Sequence, residues 1–154
     1  VNVIVVPWDD APSSLTWAEK VAYLTYQFSK LEQRECPVEH RFEPGFYIRR
    51  MHIPAATLFL GRKHNHGHEV HLVKGSAILI APQGKRRFDA PAGIVTDPGF
   101  HAVAFTLTDV IADTRHPNPT ESKDALALEL DIFEPAQALI ERGRVLEEKL
   151  LCQA

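Results

Sequence analysis

Apolar and polar positions along the chain follow two different rhythms. Trp17, Val21, Leu24, Phe28 and Leu31 recur at steps of four and three, an apolar stripe at helical period. Thr16 followed by Glu19 forms a capping-box pair, which predicts a helix starting near Trp17. The stripe is expected to pack on the domain's own sheet, with a subunit contact as the alternative. From Pro37 onward the apolar runs become short and β-rich, over 46–53, 56–60, 68–73, 77–80, 94–96, 102–107 and 110–114. Gly, Pro, Asn or Asp punctuate most of the gaps. This spacing predicts an all-β core, most economically an antiparallel jelly roll, with a further short strand or arm over 3–6. His116-Pro117-Asn118-Pro119 is expected to close the β region. Leu126, Leu128, Leu130 and Ile132 alternate like a strand in helix-favouring company, and the pattern leaves both open. Pro135 opens a final helix with Ala136, Leu139, Ile140, Gly143, Leu146 and Leu150 on one side.

At 154 residues the chain is sized for one domain: an arm and helix over 1–36, a barrel over 37–116, and a helical extension over 117–154. A net charge of −3 supplies no basic field, so no nucleic-acid partner is expected. Lys85-Arg86-Arg87, the one basic run, reads as a solvated turn after Pro82-Gln83-Gly84. Cys36 and Cys152 stand far apart and suggest neither a disulfide framework nor a metal knuckle. Residues 1–6 are apolar but too short for a signal peptide or a membrane span, so neither secretion by a signal peptide nor a membrane partner is expected.

The chemistry concentrates in His64-Asn65-His66-Gly67-His68-Glu69-Val70-His71, which holds four of the eight histidines. Neutral imidazole is the commonest metal ligand among side chains. On an extended strand His64, His66 and His68 share one face with Val70 and Leu72, while Glu69, His71 and Val73 face the other way. Farther on, His101, Val103, Phe105 and Leu107 alternate, so His101 is expected to point into the barrel with core residues. The expected metal ligands are therefore His64, His68 and His101, with His66 as substitute. One divalent transition metal ion (zinc, iron, nickel or manganese) would suit them, with one to three positions left open. Arg62 and Lys63 read as a solvated strand end in preference to an anion site. His116, beside two prolines, reads as a loop histidine bonded to backbone. Asp109 and Asp113 have no evident place in a barrel mouth, so no general base is identified.

These residues resemble the cupin superfamily of small metal-binding jelly-roll barrels. Its first motif pairs two alternating histidines with a glutamate and a later glycine. Matched on Gly75, the glutamate's place falls on His68, the second histidine on His64 and the first on Arg62. The second motif is similar to Gly93 through Asp97-Pro98-Gly99-Phe100-His101, in a turn one residue shorter. A closer likeness, over about 15–135, is to small cupin proteins of tailed-bacteriophage genomes. It runs through Pro44-Gly45-Phe46-Tyr47, Ile53-Pro54-Ala55, His64-x-x-x-His68, Leu107-x-Asp109 and His116-Pro117. That resemblance implies a virion-associated structural or binding module, located in the host cytoplasm or the virion, with other virion proteins as partners. The alternatives are a metal-dependent small-molecule enzyme (a dioxygenase, isomerase or epimerase) and a protein that binds a small-molecule ligand without turnover. A homo-oligomer is expected under each.

Overall fold

The computed structural model describes residues 7–153, so the strand or arm expected over 3–6 lies outside the described residues. Among the described residues nine strands form two sheets. They are β1 (Val38–Glu43), β2 (Phe46–Ile53), β3 (Leu58–Lys63), β4 (Glu69–Lys74), β5 (Ser76–Ala81), β6 (Gly84–Asp89), β7 (Ala92–Val95), β8 (His101–Thr106) and β9 (Val110–Pro117). One sheet has the order β1-β2-β9-β4-β7 and the other β3-β8-β5-β6, and every pairing is antiparallel. From β3 onward the chain passes back and forth between the sheets, with β5–β6 the one hairpin within a sheet, which is jelly-roll connectivity. Alternate residues of both sheets line the space between them: Met51 and Ile53, Val70 and Leu72, Ala77 and Leu79, Val110 and Ala112.

The described residues form α-helices before and after the strands: α1 (Trp17–Ser29), α2 (Ala125–Ile132) and α3 (Ala136–Cys152). The expected capping box is present at α1, where Glu19 N–H donates to Thr16 Oγ1 (3.2 Å) and Thr16 N–H to Glu19 Oε1 (3.0 Å). The helix packs on its own sheet, as the stripe suggested. Val21, Ala22 and Leu24 form one buried cluster with Ile80, Val103, Phe105 and Leu139 of α3. Trp17 Nε1–H donates to Ile80 O at 3.0 Å. Leu31 falls beyond the helix and is exposed.

This packing corrects the expected orientation of β8. Ala102, Ala104 and Thr106 line the barrel interior, whereas Val103 and Phe105 face outward onto α1. Alternation fixes a strand's inward face only when the other face is wet. Here α1 gives the outer face a core of its own, and it takes the larger side chains. His101 goes with that face.

Other departures have related causes. The charged strands β1 and β6 were not foreseen, because both lie at sheet edges with mostly exposed side chains and no apolar alternation. The Lys85-Arg86-Arg87 run is solvated as expected but sits in strand β6, where edge cations discourage pairing with another chain. Strand β9 runs through His116 to Pro117 instead of stopping before them. The undecided segment is helical: Asp124 Oδ1 accepts from Ala127 N–H at 3.1 Å and caps α2.

After α2 the chain turns back onto the barrel. Asn65 N–H donates to Ile132 O (2.7 Å) and Glu134 N–H to Lys63 O (2.9 Å), bracketing an isolated bridge between His64 and Phe133. Phe133 is thereby buried at the barrel mouth with Ile132 and Tyr47. Helix α3 then crosses α1 at Gly143. A Cβ there would lie 2.6 Å from the Tyr26 Cβ and deep inside contact with the Ala22 carbonyl. Gly143→Ala is expected to destabilise the fold by about 1–2 kcal/mol, overpacking outweighing the better helix propensity of alanine. Urea unfolding measures this, and a more stable variant would contradict the close crossing.

Candidate metal centre

Three histidines from three parts of the chain meet at the barrel mouth. His64 follows β3 directly, His68 precedes β4, and His116 lies near the end of β9. Their candidate ligand atoms lie within 4.8 Å of one another, and all three residues are buried. The rings stack nearly parallel, with centroids 4.0 Å apart for His64 and His68, 4.8 Å for His68 and His116, and 5.5 Å for His64 and His116. Phe133 stands edge-on to His64, and Phe100 edge-on to His68. Gly67 allows the turn before His68 to press against the Thr96 carbonyl, where a Cβ would come within 2.8 Å.

The hydrogen bonds around His68 assign its tautomer. Its Nδ1 lies 3.4 Å from the carbonyl of His66, which can only accept, and 2.9 Å from Thr96 Oγ1. Nδ1 therefore carries the proton, and the Thr96 hydroxyl donates to His68 O at 3.1 Å. This leaves Nε2 of His68 as a bare lone pair, buried and without a partner. Both ring nitrogens of His64 are likewise buried without a partner. Burial, followed by the neighbouring His68, holds His64 down to about 3; burial, followed by His68 and His64, does the same to His116. Burial also lowers His68. The three imidazoles are neutral at pH 7, the state a metal ligand needs.

The expected ligand set thus stands as follows. His64 and His68 come together, but His66 and His101 do not join them. His66 lies on the turn between β3 and β4, because the chain does not stay extended from 64 to 68. It is exposed, with Nε2 3.1 Å from Asp131 Oδ2. His101 lies on the outer face of its sheet, donates from Nε2 to Gly61 O, and meets Trp17 edge-on at 6.1 Å between ring centroids. The third member is His116, a strand residue and not the loop residue that its neighbouring prolines suggest. Its Nε2 is 2.9 Å from Thr114 Oγ1. Period-two alternation through Val110, Ala112, Thr114 and His116 carried the signal, and Pro117 hid it by suggesting an earlier strand end.

Beneath the histidines lies a cavity of about 350 Å³, lined mainly by apolar side chains such as Met51, Phe59, Leu72, Leu79 and Ile94. No carboxylate of the described residues lines it. Asp113 is held in a two-point pair by Arg50 (2.8 and 2.9 Å), Asp109 accepts from Ala55 N–H, and Glu69 pairs with Arg115. The donor set fits a transition metal. A zinc–imidazole bond is about 2.0–2.1 Å and lies in the ring plane, so donors within 4.8 Å of one another reach one ion once the stacked rings turn about χ2 to converge their lone pairs. Three neutral nitrogens leave at least one position for another ligand, next to an apolar space that can take it.

No helix among the described residues is long and apolar enough to cross a membrane. No family model matches the chain, and no curated protein matches it significantly. Among solved structures it is similar to an RmlC-like cupin family protein with a double-stranded β-helix fold from Methanocaldococcus jannaschii. Identity is 12% over 58% of this chain and 86% of that one, with a TM-score of 0.46. A cupin-2 domain containing protein from Shewanella frigidimarina gives 11% identity, 62% and 92% coverage and a TM-score of 0.44. Ectoine synthase from P. lautus gives 14%, 56%, 67% and 0.47. Each is a likeness of fold at low identity, and the chain is a jelly roll of the double-stranded β-helix kind by its own strand order.

Proposed function

We propose that the protein is a small-molecule binding module whose barrel holds one divalent transition metal ion on His64, His68 and His116. The observation that carries this reading is the buried, partnerless state of both His64 ring nitrogens and His68 Nε2 beside an apolar cavity. Each such atom left unpaired costs about 1–3 kcal/mol, and a bound ion would offset that cost at His68 Nε2 and at one of the two His64 nitrogens. Zinc, iron(II), nickel and manganese all accept imidazole, so the ligand type alone does not select among them. When bound, the ion would supply Lewis acidity to a ligand in the cavity. Binding is favoured over turnover because no carboxylate among the described residues lines the cavity to move a proton. The enzyme reading differs by requiring turnover of the bound molecule.

A place in a bacteriophage particle is the second reading. It rests on the resemblance of the sequence pattern to small phage cupins and on Leu126 and Leu130, one helical turn apart and both more than 70% exposed on α2. Co-sedimentation with particles tests it. Self-association through the same apolar surface is proposed with it, read by the sedimentation coefficient of the isolated protein. Elemental analysis of untagged protein tests the metal reading. About one transition metal ion per chain is expected; its absence at neutral pH, even after incubation with zinc, iron(II), nickel or manganese, overturns that reading.

A further inference from the structure

Two arginines stand at the same mouth and are not explained by the metal. Arg49 and Arg62 both line the cavity, and both place their guanidinium over the ring of Phe133, 4.7 Å from its centre. The Nε–H of each is buried and has no acceptor. What partners they have are weak. Arg49 Nε lies 3.8 Å from Glu129 Oε1, beyond hydrogen-bond reach, and Arg62 Nη2 donates to Glu134 O at 3.4 Å. Glu129 is shared, since Tyr47 O–H donates to the same oxygen at 3.4 Å and His40 Nδ1 stands 3.8 Å away. The carboxylate of Glu134 is engaged by Arg142.

A structural role for the pair does not balance. Stacking on an aromatic ring stabilises less than it costs to bury an unpaired donor, and that cost rises when the donor is charged. Two like charges on one ring also repel. Against two guanidinium groups the mouth offers one nearby carboxylate, Glu129, and three neutral imidazoles, so about one positive charge is left over. Below it the lining is almost wholly apolar, with Thr106 and Thr114 the other polar contributors besides the histidines.

We infer that the mouth is a carboxylate site: Arg49 and Arg62, held on Phe133 beside the histidines, bind the acid group of a small monocarboxylate whose hydrocarbon body fills the barrel. A guanidinium presents paired donors in the geometry a carboxylate accepts. In the metal-free mouth a dianionic phosphate would need a second uncompensated charge and would face Glu129. A sugar or nucleotide body would bury hydroxyls and ring nitrogens against Leu, Ile, Met and Phe with nothing to pair them. At about 350 Å³ the cavity is at the small end for ligand pockets, which sets the body at a branched aliphatic or single-ring acid. The inference deepens the small-molecule reading of the barrel and rests on it, but not on the metal.

The test is calorimetric titration of untagged protein with 4-methylpentanoate and phenylacetate, with their amides, and with inorganic phosphate, each against metal-free and zinc-treated samples. The acids are expected to bind at least about tenfold more tightly than the amides, the worth of one charge-assisted hydrogen bond. Arg62→Met and Arg49→Met should erase that acid preference and leave the weak amide binding unchanged. Equal binding of acid and amide, no binding of either acid, or tighter binding of phosphate overturns the assignment. The acid–amide comparison on the wild type decides even if a variant fails to fold. Acid preference without zinc uptake removes the metal reading alone; zinc uptake without acid preference removes this one alone.

Discussion

His116→Ala is expected to abolish metal binding, whereas His101→Ala leaves one ion per chain in place. The two substitutions separate the site seen in the fold from the site that strand alternation suggested. His116 is buried within reach of His64 and His68, so its removal leaves two imidazoles and a space where the third stood. Loss of an outer partner of a ligand alone weakens metal affinity by about 10–100-fold, and loss of a ligand exceeds that. His101 lies on the opposite face of its strand, tied to the Gly61 carbonyl and to Trp17. Its truncation leaves that carbonyl unpaired and the indole edge uncovered, at an expected cost of about 1–2 kcal/mol in stability. His66→Ala, on the exposed turn, should change neither quantity by much. Elemental analysis and competition with a coloured chelator read the affinities, and denaturant unfolding reads the stabilities. If His101→Ala loses the ion and His116→Ala keeps it, the triad described here is not the metal site.

What the sequence made legible was whatever depends on a single environment. The capping box at Thr16 and Glu19, the helix stripe and the inward residues of β4 each have one wet face and one dry face, and alternation reads such elements correctly. Strand β8 has two dry faces, so Val103 and Phe105 on one side and Ala102 and Ala104 on the other carry no polar marker. Orientation there is decided by α1, which lies some seventy residues away in the chain. Strands β1 and β6 failed for the opposite reason, being edge strands whose side chains are mostly exposed. At the site itself, His64 and His68 were legible because they are close in sequence. His116 reaches them only through the pairing of β9 with β2 and β4, which no local spacing announces. Arg62 was read as a solvated strand end because nothing local shows that Phe133, from the far end of the chain, folds back over it.

In metal-free protein, stability should fall steeply as pH drops from about 6.5 to 5. His64 and His116 are held neutral in the fold, down to about 3, and His68 is shifted in the same direction. In the unfolded chain a histidine takes its proton near pH 6.5. Between those values the unfolded state binds protons that the folded state refuses, so the contribution is fully present above about pH 6.5 and is lost progressively toward pH 3. At about 1.4 kcal/mol per pH unit for each group, His64 and His116 together remove on the order of 4 kcal/mol by pH 5. The paired carboxylates do not confound this window. Arg50 holds Asp113 down, as Arg115 does Glu69 and Arg142 does Glu134, so the stability they contribute is lost only below the ordinary carboxylate range. His101, lowered mainly by burial, acts in the same sense as the triad. The measurement is urea unfolding from pH 7.5 to 5 after chelation, with the slope of free energy against pH giving protons taken up on unfolding. His116→Ala should lower that slope by about one proton, because it removes one of the refusing groups. A flat profile in wild type would mean that water reaches the histidines in the folded state. The partnerless nitrogens that motivate a metal would then already be solvated, and the argument for an ion at this mouth would lose its physical basis.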